Sequence, residues 1–120
     1  MTSSTEQTVF IVDDDVAVRD ALALLLGLKG YRTSIYSSAE DFLAAFRREW
    51  RGFLVLDIKM GGMSGLDLQA RLIEQEAEIP VVVITGHGDA ASARLALKSG
   101  AVDFLEKPFS DESLLSSVKD

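Results

Sequence analysis

The sequence predicts an α/β domain built on a doubly wound, five-stranded parallel sheet with helices on both faces. Three observations predict it. Five short runs rich in aliphatic, β-branched and aromatic residues lie at 8–12, 31–36, 52–56, 81–84 and 101–106. Each is followed by a stretch carrying helical signals, and strict strand–helix alternation implies parallel strands joined by right-handed crossovers. Four of the runs also end in polar residues: Asp13 and Asp14 after the first, Asp57 after the third, Thr85 after the fourth and Lys107 after the fifth. In open α/β sheets the carboxyl ends of the strands are where ligands sit.

Each element has its own local reason. The run 8–12 is apolar and leads to Asp15, an N-cap for a helix whose apolar residues are dense enough to pack, ending at Gly27 or Gly30. Residues 31–36 read as the second strand. Ser37 with Glu40 three residues later is a capping-box signal for a helix through Arg47 or Arg48, with Trp50 half-buried at its end. The third strand runs to Asp57 and leads through Gly61 and Gly62 to Ser64, the cap of a helix over 66–77. Pro80 opens the fourth strand. Gly86, His87 and Gly88 form a flexible loop before Asp89, which caps a helix over 90–98, and Gly100 stops it before the fifth strand. Residues 110–120 read as the opening turns of a fifth helix.

Composition bounds the reading. A length of 120 residues with 48% hydrophobic content suits one domain with a real core. No apolar run approaches the roughly 20 residues of a membrane span. Residues 1–7 are polar and read as a disordered tail before a domain at 8–120; they lack the basic and apolar regions of a secretory signal. The absence of cysteine excludes disulfides, thiolate zinc sites and cysteine nucleophiles, and suits the cytoplasm. A net charge of -7 argues against direct binding of nucleic-acid phosphates. Ending within an apparent helix suggests a piece of something longer, so any DNA contact is expected from an output domain absent here.

Three acids, a hydroxyl and an ammonium on one sheet edge fit a divalent cation and a phosphoryl group. Mg²⁺ takes one or two protein carboxylates plus waters and phosphate, and Asp14 and Asp57, with Asp13 alongside, meet that need. Clustered acids repel one another, which should raise at least one pKa. A carboxylate such as Asp57 can attack phosphorus, while the cation and Lys107 stabilise the equatorial oxygens and Thr85 supplies a hydrogen bond. Gly86 leaves room for the phosphoryl group.

Taken in order, the acidic pair Asp13 and Asp14, the aspartate Asp57, the hydroxyl Thr85 and the Lys107-Pro108 pair resemble the motifs of a receiver (CheY-like) domain of two-component response regulators. The match runs from about Val9 onward. The segments 85–89 and 100–109 further resemble the FixJ-type branch, whose receivers commonly control a helix-turn-helix DNA-binding domain. The resemblance implies a flavodoxin-like strand order of 2-1-3-4-5. It also implies that Asp57 accepts phosphate from a sensor histidine kinase, that Asp13, Asp14, Asp57 and the Lys59 carbonyl hold Mg²⁺, or Mn²⁺ in its place, and that Asp13 acts mainly through water. It implies a cis peptide at Pro108, which the fold can impose because a cis X-Pro bond costs only about 0.5–1 kcal/mol. Thr85 and Phe104 would switch on phosphorylation and promote a homodimer through the fourth helix and fifth strand. Lys59 and His87 would tune the phosphoryl lifetime. Such a domain is a self-phosphorylating, self-dephosphorylating acceptor rather than a turnover enzyme.

One departure from the family pattern stands out: Gly61 occupies a position where proline is usual. Glycine adds about 0.4–1 kcal/mol of chain entropy, so the loop after Asp57 is expected to be mobile without metal and to bind Mg²⁺ more weakly than a proline-bearing relative.

Simpler and rival explanations exist for these residues. Any one of the aspartates alone is more simply a cap or a solvated loop acid, Lys107 alone a surface lysine, His87 an exposed loop residue and Phe104 a core residue. A haloacid-dehalogenase phosphatase needs a second aspartate where this chain has Lys59. A dinucleotide-binding domain needs glycines where it has Asp13 and Asp14. A phosphorylation-independent receiver-like binding module is the main alternative, opposed by the intact acids, Thr85 and Lys107.

Overall fold

The computed structural model describes residues 8–60, 62–86, 88–107 and 109–119, with Val118 and Lys119 by backbone alone. The tail 1–7 and Gly61, His87 and Pro108, to which the sequence reading assigned roles, lie outside the described residues. Strands and helices alternate as β1 (Thr8–Val12), α1 (Val16–Leu28), β2 (Arg32–Tyr36), α2 (Ala39–Ala45), β3 (Gly52–Asp57), α3 (Gly65–Glu74), β4 (Val81–Thr85), α4 (Ala90–Lys98), β5 (Asp103–Glu106) and α5 (Asp111–Lys119). The sheet is wholly parallel, in the order β2-β1-β3-β4-β5. The order reverses direction between β1 and β3, and ligand crevices open at such points.

Both faces of the central strands are buried, which is why they read as continuous apolar runs instead of alternating ones. Phe10, Val12, Leu54, Leu56, Val81 and Val83 face a layer formed by Phe42 of α2, Leu68 and Leu72 of α3 and Ala96 of α4. Val9, Ile11, Phe53, Val55, Val82 and Ile84 point the other way, onto Leu22 and Leu26 of α1 and Leu114 of α5. The alternation has the two-residue period of a strand. Among the described residues, no helix is long and apolar enough to cross a membrane.

Several boundaries differ from the sequence reading. The α2 cap is Ser38, whose side chain accepts from Asp41 N–H at 3.0 Å, and not Ser37; Glu40 instead reaches across to the β3–α3 loop. That helix stops at Ala45 because Phe46 turns extended (φ -61°, ψ 139°) and packs its ring on Phe42 and Trp50. Gly27 lies inside α1, and the chain turns at Gly30, whose φ of +93° suits glycine. Helix α3 ends at Glu74, with Gln75 as C-cap and Glu76 at φ 57°. β2 starts at Arg32 because Tyr31 N–H still bonds Leu26 O, and β5 starts at Asp103 because Ala101 N–H closes α4 on Ala96 O. Trp50 sits in the loop before β3, stacked on Phe10 with ring centroids 4.7 Å apart.

Candidate functional site

Strand register assembles the site. Val12 lies opposite Leu56, so the next residues, Asp13 and Asp57, emerge side by side from β1 and β3. Asp57 lies opposite Ile84, which puts Thr85 one residue further along β4, and Thr85 lies opposite Glu106, which puts Lys107 just beyond β5. Four residues spread over 95 positions of sequence thus reach one edge.

Oxygens of Asp13, Asp14 and Asp57 all lie within 4.8 Å of one another. Asp13 and Asp57 are buried and Asp14 is exposed. Asp13 Oδ1 accepts the Asp15 N–H at 2.9 Å, while its buried Oδ2 has no hydrogen-bond partner among the described residues. Arg19 of α1 donates to the Asp13 carbonyl at 2.9 Å, tying the acidic loop to the helix that follows it. Asp57 Oδ1 accepts the Lys59 N–H at 3.1 Å, and Lys107 Nζ stands 3.6 Å from Asp57 Oδ2. Thr85 is buried, and its hydroxyl donates to Leu105 O in a long bond of 3.5 Å. A Cβ on Gly86 would meet nothing among the described residues within 4 Å, which leaves room beside Thr85.

Two adjacent buried carboxylates cannot both ionise at ordinary cost. Burial foremost, and then the charge of Asp13, push the Asp57 carboxyl up to about 6, against the pull of Lys107. Burial likewise raises the Asp13 carboxyl, although the Asp15 N–H and Lys107 oppose it. The orphaned Asp13 Oδ2 and the crowded oxygens are a donor set suited to a hard divalent cation, which takes oxygen ligands and removes their repulsion. Asp13, Asp14 and Asp57 therefore fit Mg²⁺.

The edge brings together Asp13, Asp14, Asp57, Thr85 and Lys107, with Lys59 joined through its backbone. Phe104 is apart from them, on β5, with 38% of its surface exposed. Three residues had no site role in the sequence reading. Gly65 opens α3 so close to β3 that a Cβ there would lie 2.4 Å from the Asp57 carbonyl oxygen, which leaves only glycine. Glu40 accepts the Met63 N–H at 3.0 Å, holding the loop after Asp57 from α2. Asp89, recognised as a cap of α4, also faces Lys59. The Gly65 approach and the Glu40 and Asp89 contacts depend on tertiary placement and leave no periodic trace in sequence.

A doubly wound parallel sheet with buried acids, a threonine and a lysine at its carboxyl edge defines the class of CheY-like receiver folds. The chain belongs to the response regulator receiver domain family, whose model matches residues 9–119. It is 44% identical over 115 residues to the transcriptional regulatory protein FixJ of Rhizobium meliloti (strain 1021), covering 96% of this chain and 56% of that protein. It is 45% identical over 114 residues to the response regulator protein TmoT of Ectopseudomonas mendocina, covering 95% of this chain and 52% of TmoT. The chain thus spans about half the length of these curated relatives. The crystal structure of FixJ-N superposes with a TM-score of 0.90 at 45% identity, covering 96% of this chain and 92% of that one.

Proposed function

We propose that Asp57 accepts a phosphoryl group from the phosphohistidine of a sensor histidine kinase, in a Mg²⁺-dependent step, and that the domain then changes shape to control an output. The observation that carries this is the buried acid cluster, with an orphaned oxygen on Asp13 and a lysine on Asp57. An Asp57 carboxylate oxygen attacks phosphorus as the P–N bond breaks and its electron pair leaves with the imidazole nitrogen. When bound by Asp13, Asp14, Asp57 and the Lys59 carbonyl, Mg²⁺ (or Mn²⁺) neutralises charge on the transferred oxygens. Lys107, already 3.6 Å from Asp57, supplies a second cation, and Gly86 leaves the approach open.

The read-out uses Thr85 and Phe104. The 3.5 Å bond from Thr85 to Leu105 O is weak by its length, so the hydroxyl is readily drawn to a phosphoryl oxygen, and exposed Phe104 on β5 turns into the space behind it. Leu95 of α4 and, on and just before edge strand β5, Phe104 and Val102 are large apolar residues left exposed, which suits a homodimer through α4 and β5 after phosphorylation. FixJ is a transcriptional regulatory protein by name; for this chain the matching proposal is a cytoplasmic regulator whose DNA contact lies in an output domain. Lys59 and His87 set how long the phosphoryl group lasts.

Intact-protein mass spectrometry after incubation with acetyl phosphate tests the proposal. A single Mg²⁺-dependent phosphoryl adduct on the wild type, absent from Asp57→Asn, is expected. No adduct under conditions that label a control receiver would favour a phosphorylation-independent binding module.

A further inference from the structure

Lys59 touches two functional elements at once. Its backbone N–H binds Asp57 Oδ1 at 3.1 Å, and its ammonium stands 3.8 Å from Asp89 Oδ2, in the loop between β4 and α4. Asp89 is divided in the same way. Its Oδ1 caps α4 by accepting the Ser92 N–H at 3.3 Å, while Oδ2 is buried, has no hydrogen-bond partner among the described residues and faces Lys59. The asymmetry matters: the Asp89 side chain is 19% exposed and that of Lys59 is 77% exposed, so the lysine is the partner able to move.

We propose that Asp89 is a positioning residue for the chemistry of Asp57: it holds the Lys59 ammonium on the cap of α4 and yields it when Asp57 is phosphorylated. The proposal rests on Asp57 being the phosphoacceptor. An ion pair with one partner in solvent is weakly held. A phosphoryl group brings up to about two negative charges to the carboxylate that the Lys59 backbone already touches. The ammonium is drawn toward those oxygens, where it obstructs the water that would attack phosphorus. Asp89 then has a buried oxygen without a counterion at the first turn of α4. One lysine thereby links the lifetime of the phosphoryl group to the packing of α4, the helix that carries exposed Leu95. In the phosphorylated domain Asp89 still competes with the phosphoryl oxygens for the Lys59 ammonium, so its charge shortens the lifetime.

Asparagine at this position keeps an oxygen for the Ser92 N–H and removes the charge, which separates capping from pairing. Phosphoryl decay is followed by mass spectrometry for wild type, Asp89→Asn, Lys59→Met and the double variant. Asp89→Asn is expected to lengthen the lifetime about two- to fivefold, the range an exposed ion pair can supply, and to have no effect in the Lys59→Met background. An equal effect in both backgrounds, no effect in either, or a shorter lifetime overturns the proposal. NMR of the unphosphorylated protein gives a second test that does not depend on Asp57 chemistry. The Lys59 ε-methylene resonances should move on Asp89→Asn, and unmoved resonances overturn the bridge. A wild type that takes no phosphate at all refutes the role given to Asp57, while the NMR result still decides on the bridge.

Discussion

The aromatic cluster under α2 and the acid cluster at the carboxyl edge are built on the same strand, β1, and solve opposite problems. Phe10 stacks on Trp50 and meets Phe42 edge-on at 6.0 Å, and Phe42 also packs on Tyr36, Phe46 and Trp50. Every ring there satisfies its neighbours. Three residues further along, Asp13 brings a buried oxygen with no partner against a second buried carboxylate. The first region stabilises the fold, and the second stores a repulsion that a bound cation would relieve. A small domain keeps a frustrated site only beside a region with stability to spare.

The largest test removes the stabilising side of this contrast. Phe42 is fully buried, and Phe42→Ala should cost about 3–5 kcal/mol in urea unfolding, from lost transfer energy and the cavity left behind. A loss below about 1 kcal/mol would mean that the rings contribute little. Asp13→Asn removes one charge of the repelling pair and keeps an acceptor for the Asp15 N–H. It should stabilise the metal-free domain by about 1–2 kcal/mol while weakening Mg²⁺ binding at least about tenfold, as read by urea unfolding and calorimetric titration. Destabilisation without metal would show that the acids do not oppose each other.

The smallest effect is in pH dependence. The Asp57 carboxyl lies near 6 in the folded domain against an ordinary value of 3.8, so the folded state holds its proton more tightly than the unfolded chain. Stability from this group is therefore full below pH 3.8 and lost as pH rises through about 6. The urea midpoint of the metal-free protein should fall across that window, and Asp57→Asn should flatten the fall. A wild-type midpoint that climbs from pH 4 to 6 as steeply as that of the variant would contradict the raised pKa.

Much of this was legible in sequence because strands and their ends are local signals. The runs before Asp13, Asp57 and Thr85 gave β1, β3 and β4 with their polar ends, and Asp89 and Gly100 bracketed α4 correctly. The motif residues reach one edge because parallel register aligns strand ends, so reading each end sufficed. Helix ends were less legible. Ser37 and Ser38 are both capable caps, and only packing decides between them, while α2 is cut short by the aromatic cluster that takes Phe46. The lateral ties of the site, Lys59 to Asp89 and Glu40 to Met63, join residues far apart in sequence, and no pattern announces them.

The Glu40 tie has a dynamic consequence. It spans 23 residues, from the first turn of α2 to the loop that follows Asp57. Helix α2 has seven residues, too few to persist alone in water, and it lasts only while Phe42 stays docked. The loop inherits that condition. Each local opening of α2 withdraws the carboxylate from the Met63 N–H, so the protection of that amide cannot exceed the opening free energy of a helix that bears none of the acid-cluster residues.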